Sequence, residues 1–395
     1  MNSKPLRLAA PLLAGMIFLL LAFSSPVAAG KDNSHRAGQI TAMTQNLYVG
    51  AEILGIAVAP GLCELMGAAN QAVEQVLAND FTQRADALAA LIAAEGADVV
   101  GLQEVFTVVL SGLDQVPYYS ENYLELLLSA LNDQGVSYAV AAVRASAPIT
   151  VPADADGSCD PANPSLADAD YLGTIIDSDV ILCRDGVVCT NPAFANFEFN
   201  AAAETPAGPI VIERGWVSVV ASVKGRNYRV LNTHLEVDSN ADFRAVQYLQ
   251  ALELAGTLDF LTPDGLPQVV LGDFNSDDTP EPPTCTLPPA LGCASSYQVM
   301  TAAGFQDAWL LRGGPPEDGF TCCQDADLRN IESNQTTRID QVWARGSTSH
   351  YGGPEVRGVR ARVLGTEQSD RSVPDGLWPS DHAGVSADLI LRTPK

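Results

Sequence analysis

The stretch "QVVLGDFNS", residues 268–276, is an apolar run that ends on an aspartate and an asparagine two positions apart. Its first half reads as a buried strand, and on a strand side chains two apart point the same way. Asp273 and Asn275 are therefore expected to face one site together, where the strand opens into a loop.

The bulk properties narrow what such a site can serve. Lys4 and Arg7, the apolar run Leu12 to Phe23 and the small residues Val27-Ala28-Ala29 read as a signal peptide, residues 1–29, followed by a single domain over 30–395. The apolar core is short for a bilayer span, so no stable membrane anchor is expected and the chain is read as secreted or periplasmic. The whole chain has 22 Lys+Arg against 47 Asp+Glu, a net charge of −25, and losing residues 1–29 removes two basic residues and no acidic ones. A field of that sign repels nucleic acid and anionic membranes unless a divalent cation offsets it at the site.

Eight cysteines in an exported chain point to disulfides rather than a metal cluster, since no C-x-x-C spacing occurs. Cys183 with Cys189 and Cys285 with Cys293 are the shortest loops to close. Cys322 and Cys323 are adjacent, and each is expected to pair elsewhere.

Short strands alternate with helices and hairpins, without an internal repeat. Ile40–Leu47 and Asp98–Leu102 read as strands, and Phe81–Glu95, Tyr119–Asn132 and Ala241–Phe260 as helices. Val211–Val223, a turn at Gly225-Arg226-Asn227 and Tyr228–Asn232 read as a hairpin. Residues 150–170 and 278–295 have the composition of loop insertions. Asp154, Asp156 and Asp160 in the first offer oxygen ligands but lack EF-hand spacing, so a solvated loop is preferred to a calcium site. In "FANFEFN", residues 194–200, an ordinary strand packing alternate residues inward is favoured over a lipid-contacting hairpin. The mixture favours an α/β sandwich.

Polar residues recur at the ends of these strands: Asn46 in "MTQNLYVG", Glu104 in "VVGLQEV", His234 in "VLNTHLEV", Asp273 and Asn275 in "VVLGDFNS", Asp340 in "RIDQVWAR", and Asp381 and His382 in "PSDHAGV". Each alone reads as a cap or loop anchor. Two of the four histidines after residue 29 falling in these segments makes coincidence a poor explanation. Carboxylates and amides are hard oxygen ligands suited to Mg2+, and two histidines without a thiolate argue against a zinc cage.

The order N…QE…TH…GDFN…RID…SDH resembles the endonuclease/exonuclease/phosphatase superfamily, which includes pancreatic-type deoxyribonuclease, neutral sphingomyelinases, inositol-polyphosphate phosphatases and abasic-site endonucleases. The resemblance runs from Thr44 to about Leu391. It implies a four-layer α/β sandwich, two packed mixed sheets flanked by helices. It also implies that Glu104 is the principal Mg2+ ligand, with Asn46 near metal and phosphate and Asp381 touching a metal directly or through water; Mn2+ and Ca2+ are alternatives. Asp273 and Asn275 would orient the water and hold the phosphate, and His382, hydrogen-bonded to Asp340, would be the base histidine, with the choice between His382 and Asp273 as proton acceptor open. His234 is similar to the second histidine of the deoxyribonuclease and sphingomyelinase branches, which binds phosphate or assists the leaving group. Arg184 stands at a looser match, and a surface salt bridge is preferred for it.

The implied activity is metal-dependent hydrolysis of phosphodiesters, with nucleic acid and phospholipid both open as substrate and no protein partner indicated. No basic stripe with interleaved aromatics is present to track a nucleic-acid backbone. The competing readings are a non-catalytic binding module that keeps the fold and a structural surface protein with calcium-loaded acidic loops.

Overall fold

The computed structural model of the protein describes residues 38–279, 284–347 and 356–391. The segment read as a signal peptide, with His35 and His350, lies outside the described residues. One six-stranded sheet has the order Val356–Leu364, Gly384–Leu391, Gln39–Asn46, Val99–Gln103, Ser178–Arg184, Tyr138–Ala145. A second has the order Gln306–Asp307, Asp340–Arg345, Gln268–Asp273, Arg226–His234, Gly215–Val223, Val188–Asn196. Both are mixed: Gln39–Asn46 runs parallel to Val99–Gln103, and Arg226–His234 parallel to Gln268–Asp273, while the remaining neighbours are antiparallel.

Strand periodicity explains the layering. Val269 and Leu271 join Ile40, Val99, Val217 and Val230 in the core between the sheets, whereas Val270, pointing the other way, packs with Leu254 and Leu258 of the helix Ala241–Leu261. Behind the first sheet, Met43, Val100 and Leu102 meet Leu88 and Ile92 of the helix Phe81–Glu95 and Leu127 of the helix Tyr123–Asp133. Helix, sheet, sheet, helix is the four-layer α/β sandwich. Because both faces of each sheet are covered, the central strands are apolar without alternation. Gly101 lies at a close approach of the two sheets; a Cβ there would strike Asn232 Oδ1 and Leu271 Cβ.

The helix Phe81–Glu95 has the expected bounds, capped by Asp80, which accepts from Gln83 N–H, and ended by left-handed Gly96. Elsewhere the boundaries move. Tyr119 to Asn122 belongs to the strand Pro117–Asn122, and the helix begins at Tyr123 because the Asn122 side chain accepts from Glu125 N–H as its cap. The run Val211–Val223 is two strands broken at Glu213-Arg214: Gly208–Ile212 pairs with Ala201–Thr205, and only Gly215–Val223 enters the large sheet. Of the first insertion, Ile149–Ala153 is an edge strand against Tyr171–Ile176 in a four-stranded sheet, a position where Pro152 costs no ladder bond. Phe197 is buried, while Phe194 and Phe199 are exposed.

Cys183–Cys189 and Cys285–Cys293 are bonded as expected, and Cys63–Cys159 ties the helix Leu62–Ala78 to the acidic loop. The expectation for Cys322 and Cys323 is overturned. They bond to each other across a cis peptide that brings their Cα atoms to 3.0 Å, and the other six cysteines leave them no further partner.

Candidate active site

The parity that sends Val269 and Leu271 into the space between the sheets sends Asp273 there too, at the open end of the sandwich. His234, Asp273 and Asp340 form one cross-strand row. Asn46 and Gln103 are paired at the same end of the opposing sheet. One layer down, Gln103 Nε2 donates to Asn232 Oδ1 and Asn232 Nδ2 donates to Leu102 O at 2.8 Å, so buried amides join the sheets beneath the site.

Two residues leave the strand direction through backbone that L side chains rarely adopt. Glu104 (φ +53°) follows the strand Val99–Gln103, and Asn275 (φ +48°) follows Gln268–Asp273. Such conformations persist when the surroundings hold them. Here Val49 N–H donates to Glu104 Oε2 at 3.0 Å, and Asn275 N–H donates to Asp273 Oδ1 at 2.9 Å.

Asn46 is fully buried behind the site: its Nδ2 donates to Glu104 Oε1 and to Asp273 Oδ2, both at 3.1 Å, and its Oδ1 accepts from Tyr48 N–H. Its amide thus locks the two carboxylates together rather than facing the opening. His382 Nδ1 is 2.8 Å from Asp340 Oδ2 and 3.7 Å from Asp273 Oδ2, while Nε2 is 4.0 Å from Asp381 Oδ1. Ser380 Oγ accepts the His382 backbone N–H. Burial alone would lower the His382 pKa, but Asp340, Asp381 and Asp273 outweigh it and hold the imidazole well above its usual value.

The second histidine is driven the other way. Burial, then the Arg214 and His382 charges, hold His234 well below its ordinary pKa. Arg214 Nη1 is 2.7 Å from His234 Nδ1, and Asn275 Nδ2 is 3.1 Å from Nε2. A neutral imidazole cannot accept at both nitrogens. The charged, shorter Arg214 contact makes Nδ1 the acceptor and leaves the proton on Nε2, while the Asn275 amide is satisfied by Leu235 O at 2.9 Å.

A cavity of about 300 Å³ opens over Glu104, His234, Asp273, Asn275, Asp381 and His382. It is also lined by Asp177, Glu213, Arg214 and Glu236, which the sequence reading missed. Arg214 sits at the unseen strand break, and Asp177 immediately precedes the strand Ser178–Arg184. That strand runs antiparallel to Val99–Gln103, which puts Asp177 at the site and Arg184 at the opposite edge, where its Nη1 donates to Gly96 O.

The donor set suits a hard divalent cation. Burial, then the neighbouring charges of Asp381 and Asp177, push Glu104 up to about 7. Asp177 Oδ1 is buried without a hydrogen-bond partner. Asp273, Asp340 and His382 also present ligand atoms within 4.8 Å of one another. A divalent cation beside Glu104, Asp381 and Asp177 would offset the mutual repulsion of these carboxylates. Cys322, Cys323 and His382 are equally close, but the sulfurs are bonded to each other and offer no thiolate.

Residues 43–382 match the model of the Endonuclease/Exonuclease/phosphatase family, and the chain belongs to that family. Members are in general metal-dependent phosphoester hydrolases. An endonuclease/exonuclease/phosphatase from Beutenbergia cavernae superposes with a TM-score of 0.50 at 21% identity, over 90% of this chain and 72% of that one. A family protein from Bacteroides thetaiotaomicron gives 0.47 at 20% identity, covering 89% and 97%, and truncated TDP2 from Caenorhabditis elegans 0.46 at 16%, covering 89% and 97%. The first of these likenesses speaks to the fold alone. No curated protein matches the sequence significantly.

Proposed function

We propose that the protein is an exported, Mg2+-dependent phosphodiesterase whose single domain spans residues 30–395. The observation that carries this reading is the row His234, Asp273, Asp340, with His382 bonded to Asp340 and the Glu104 carboxylate joined to Asp273 through Asn46. Export is supported by the apolar N-terminal segment and by four disulfides. Among the described residues no helix is long and apolar enough to cross a membrane.

Glu104, with Asp381 and Asp177 alongside, would hold the cation, which supplies charge neutralisation at the phosphoryl oxygens. Mn2+ or Ca2+ fits the same oxygen donors. Asp273, fixed by the Asn46 amide and the Asn275 N–H, orients the attacking water and takes its proton as the new P–O bond forms. Burial, then the Asp340 charge, raise Asp273 to about 7, which suits a base working near neutrality. His382 uses Nδ1–H on Asp340 and donates from Nε2 to the leaving oxygen as the old P–O bond breaks. His234, neutral and protonated on Nε2, donates to a non-bridging oxygen, with Asn275 beside it.

The test is hydrolysis of a generic aryl phosphodiester and the matching monoester, with Mg2+ or chelator, by wild type and His382→Ala. Mg2+-dependent turnover that the substitution lowers by about 10²-fold or more supports the reading, and the diester-to-monoester ratio assigns the branch. Wild type inert on both, and on DNA and sphingomyelin, would replace it with a non-catalytic binding module.

A further inference from the structure

The catalytic cavity has an apolar neighbour. Between the helices Leu54–Ala57 and Leu62–Ala78 and the four-stranded sheet lies a second cavity of about 100 Å³. Its walls are aliphatic, with Val73 and Ile56 on the helical side, Leu110 and Val151 on the sheet, and Ile210 from the two-stranded hairpin. Thr174 contributes the one polar side chain among the lining residues, and its hydroxyl is engaged with Thr150 Oγ1 at 2.8 Å. A water needs two to four polar partners, so walls of this kind favour an apolar occupant.

The two cavities share Val49, Ile53, Leu54, Ile149, Ile175 and Ile212. At the junction the Val49 N–H bonds the Glu104 carboxylate, Ile175 lies two residues before Asp177, and Ile212 lies two residues before Arg214. Resting on the phosphodiesterase reading, we propose that the substrate is a phosphodiester with an unbranched aliphatic chain on one of its alcohols. The chain lies in the apolar cavity while the phosphate sits among His234, Asp273 and His382. A nucleobase in the same place would leave its ring nitrogens and carbonyls unpaired against aliphatic walls. The acidic net charge of −25 likewise disfavours a polyanion.

Gly173 lines the apolar cavity and not the catalytic one, and a Cβ there would meet Val73 Cγ2 at 3.5 Å, an ordinary contact. A leucine at that position would extend into the apolar cavity, whose lining includes none of the polar residues of the site. The experiment is calorimetric binding of ethyl, butyl, hexyl and octyl phosphate to the full chain in Mg2+, for wild type, Gly173→Leu and, from the opposite wall, Ala57→Phe. Wild-type affinity should rise ~4-fold per added methylene, the transfer free energy of one buried CH2, until the cavity is full. Either blocking variant should flatten that rise and leave ethyl phosphate binding within about twofold of wild type. A wild-type series without chain-length dependence would overturn the proposal, whether or not the aryl diester is hydrolysed. A steep series from a protein that hydrolyses nothing would retain the chain site and reject the catalytic reading alone.

Discussion

Arg214 Nη1 stands 2.7 Å from His234 Nδ1, and Arg214 also pairs with Asp177 at 3.4 Å. An arginine can only donate, so this contact fixes which nitrogen of His234 carries the proton and opposes a charge on the ring. Arg214→Ala is expected to raise the His234 pKa and lower kcat/KM for the aryl diester by roughly 10²-fold, the scale for losing one positioned donor. Nitrogen NMR of the labelled histidines checks the first half: wild type should show an unprotonated Nδ1 and a protonated Nε2 on His234. The opposite tautomer in wild type would remove Arg214 from this role.

His382 and Asp340 should behave as one unit. His382→Ala is expected to cost about 10²- to 10⁴-fold in kcat, in the range of positioned acid–base groups. Asp340→Asn removes the charge that most raises the His382 pKa and should move that pKa down. The double variant should then be little worse than His382→Ala, because residues acting together are not additive. Fully additive losses in steady-state kinetics would show that the two act separately.

The sign of the pH dependence follows from Glu104 and Asp273, each raised to about 7 chiefly by burial, from ordinary values of 4.5 and 3.8. In the folded chain they keep protons that the unfolded chain has already released. Without a divalent ion, the contribution of these two groups to stability is therefore full below the ordinary carboxylate range and is lost as the pH climbs through about 7. Mg2+ binds the ionised forms, so its affinity should rise over the same window, with proton release on binding. Melting temperatures from about pH 4 to about pH 8, in chelator and in Mg2+, read this directly, since those limits span the ordinary and the raised carboxylate values. A Mg2+-induced gain that stays constant with pH contradicts it.

Arg84 is fully buried and donates to the carbonyls of Leu47, Tyr48, Asn79 and Pro379, tying the chain after Asn46 to the chain before Asp381. Arg84→Ala would strand these carbonyls and should destabilise the fold by about 3 kcal/mol or more, each orphaned buried acceptor costing of the order of 1–3 kcal/mol. Urea denaturation measures that loss, and activity should fall at temperatures where the variant is still folded. A loss within experimental error of zero would mean that water replaces the guanidinium.

Arg84 also shows how much of the site was legible in the chain. It falls on the apolar stripe of Phe81–Glu95 with Phe81, Ala85, Leu88 and Ile92, and a charge at a core position of a helix is a signal for a buried anchor. Arg214 and Asp177 gave no such signal. Arg214 hides in a run of β-branched residues that reads as one strand, and Asp177 matters only because its strand runs antiparallel to Val99–Gln103.

By itself the sequence determined the local pieces: the helix bounds set by Asp80 and Gly96, the apolar strands, and the order in which Asn46, Glu104, His234, Asp273, Asp340 and His382 occur. Those follow from periodicity and capping, which act over a few residues. Tertiary structure alone decided that Asn46 faces inward to Glu104 and Asp273, that the pKa of one histidine is held well above its ordinary value and that of the other well below, and that an aliphatic cavity adjoins the polar one. The physical reason is that burial and charge pairing depend on residues brought together from strands far apart in the chain. His234 and His382 are both buried histidines at strand ends; burial lowers both, Arg214 adds to that at His234, and Asp340 with its neighbouring carboxylates reverses it at His382, so their pKa values shift in opposite directions.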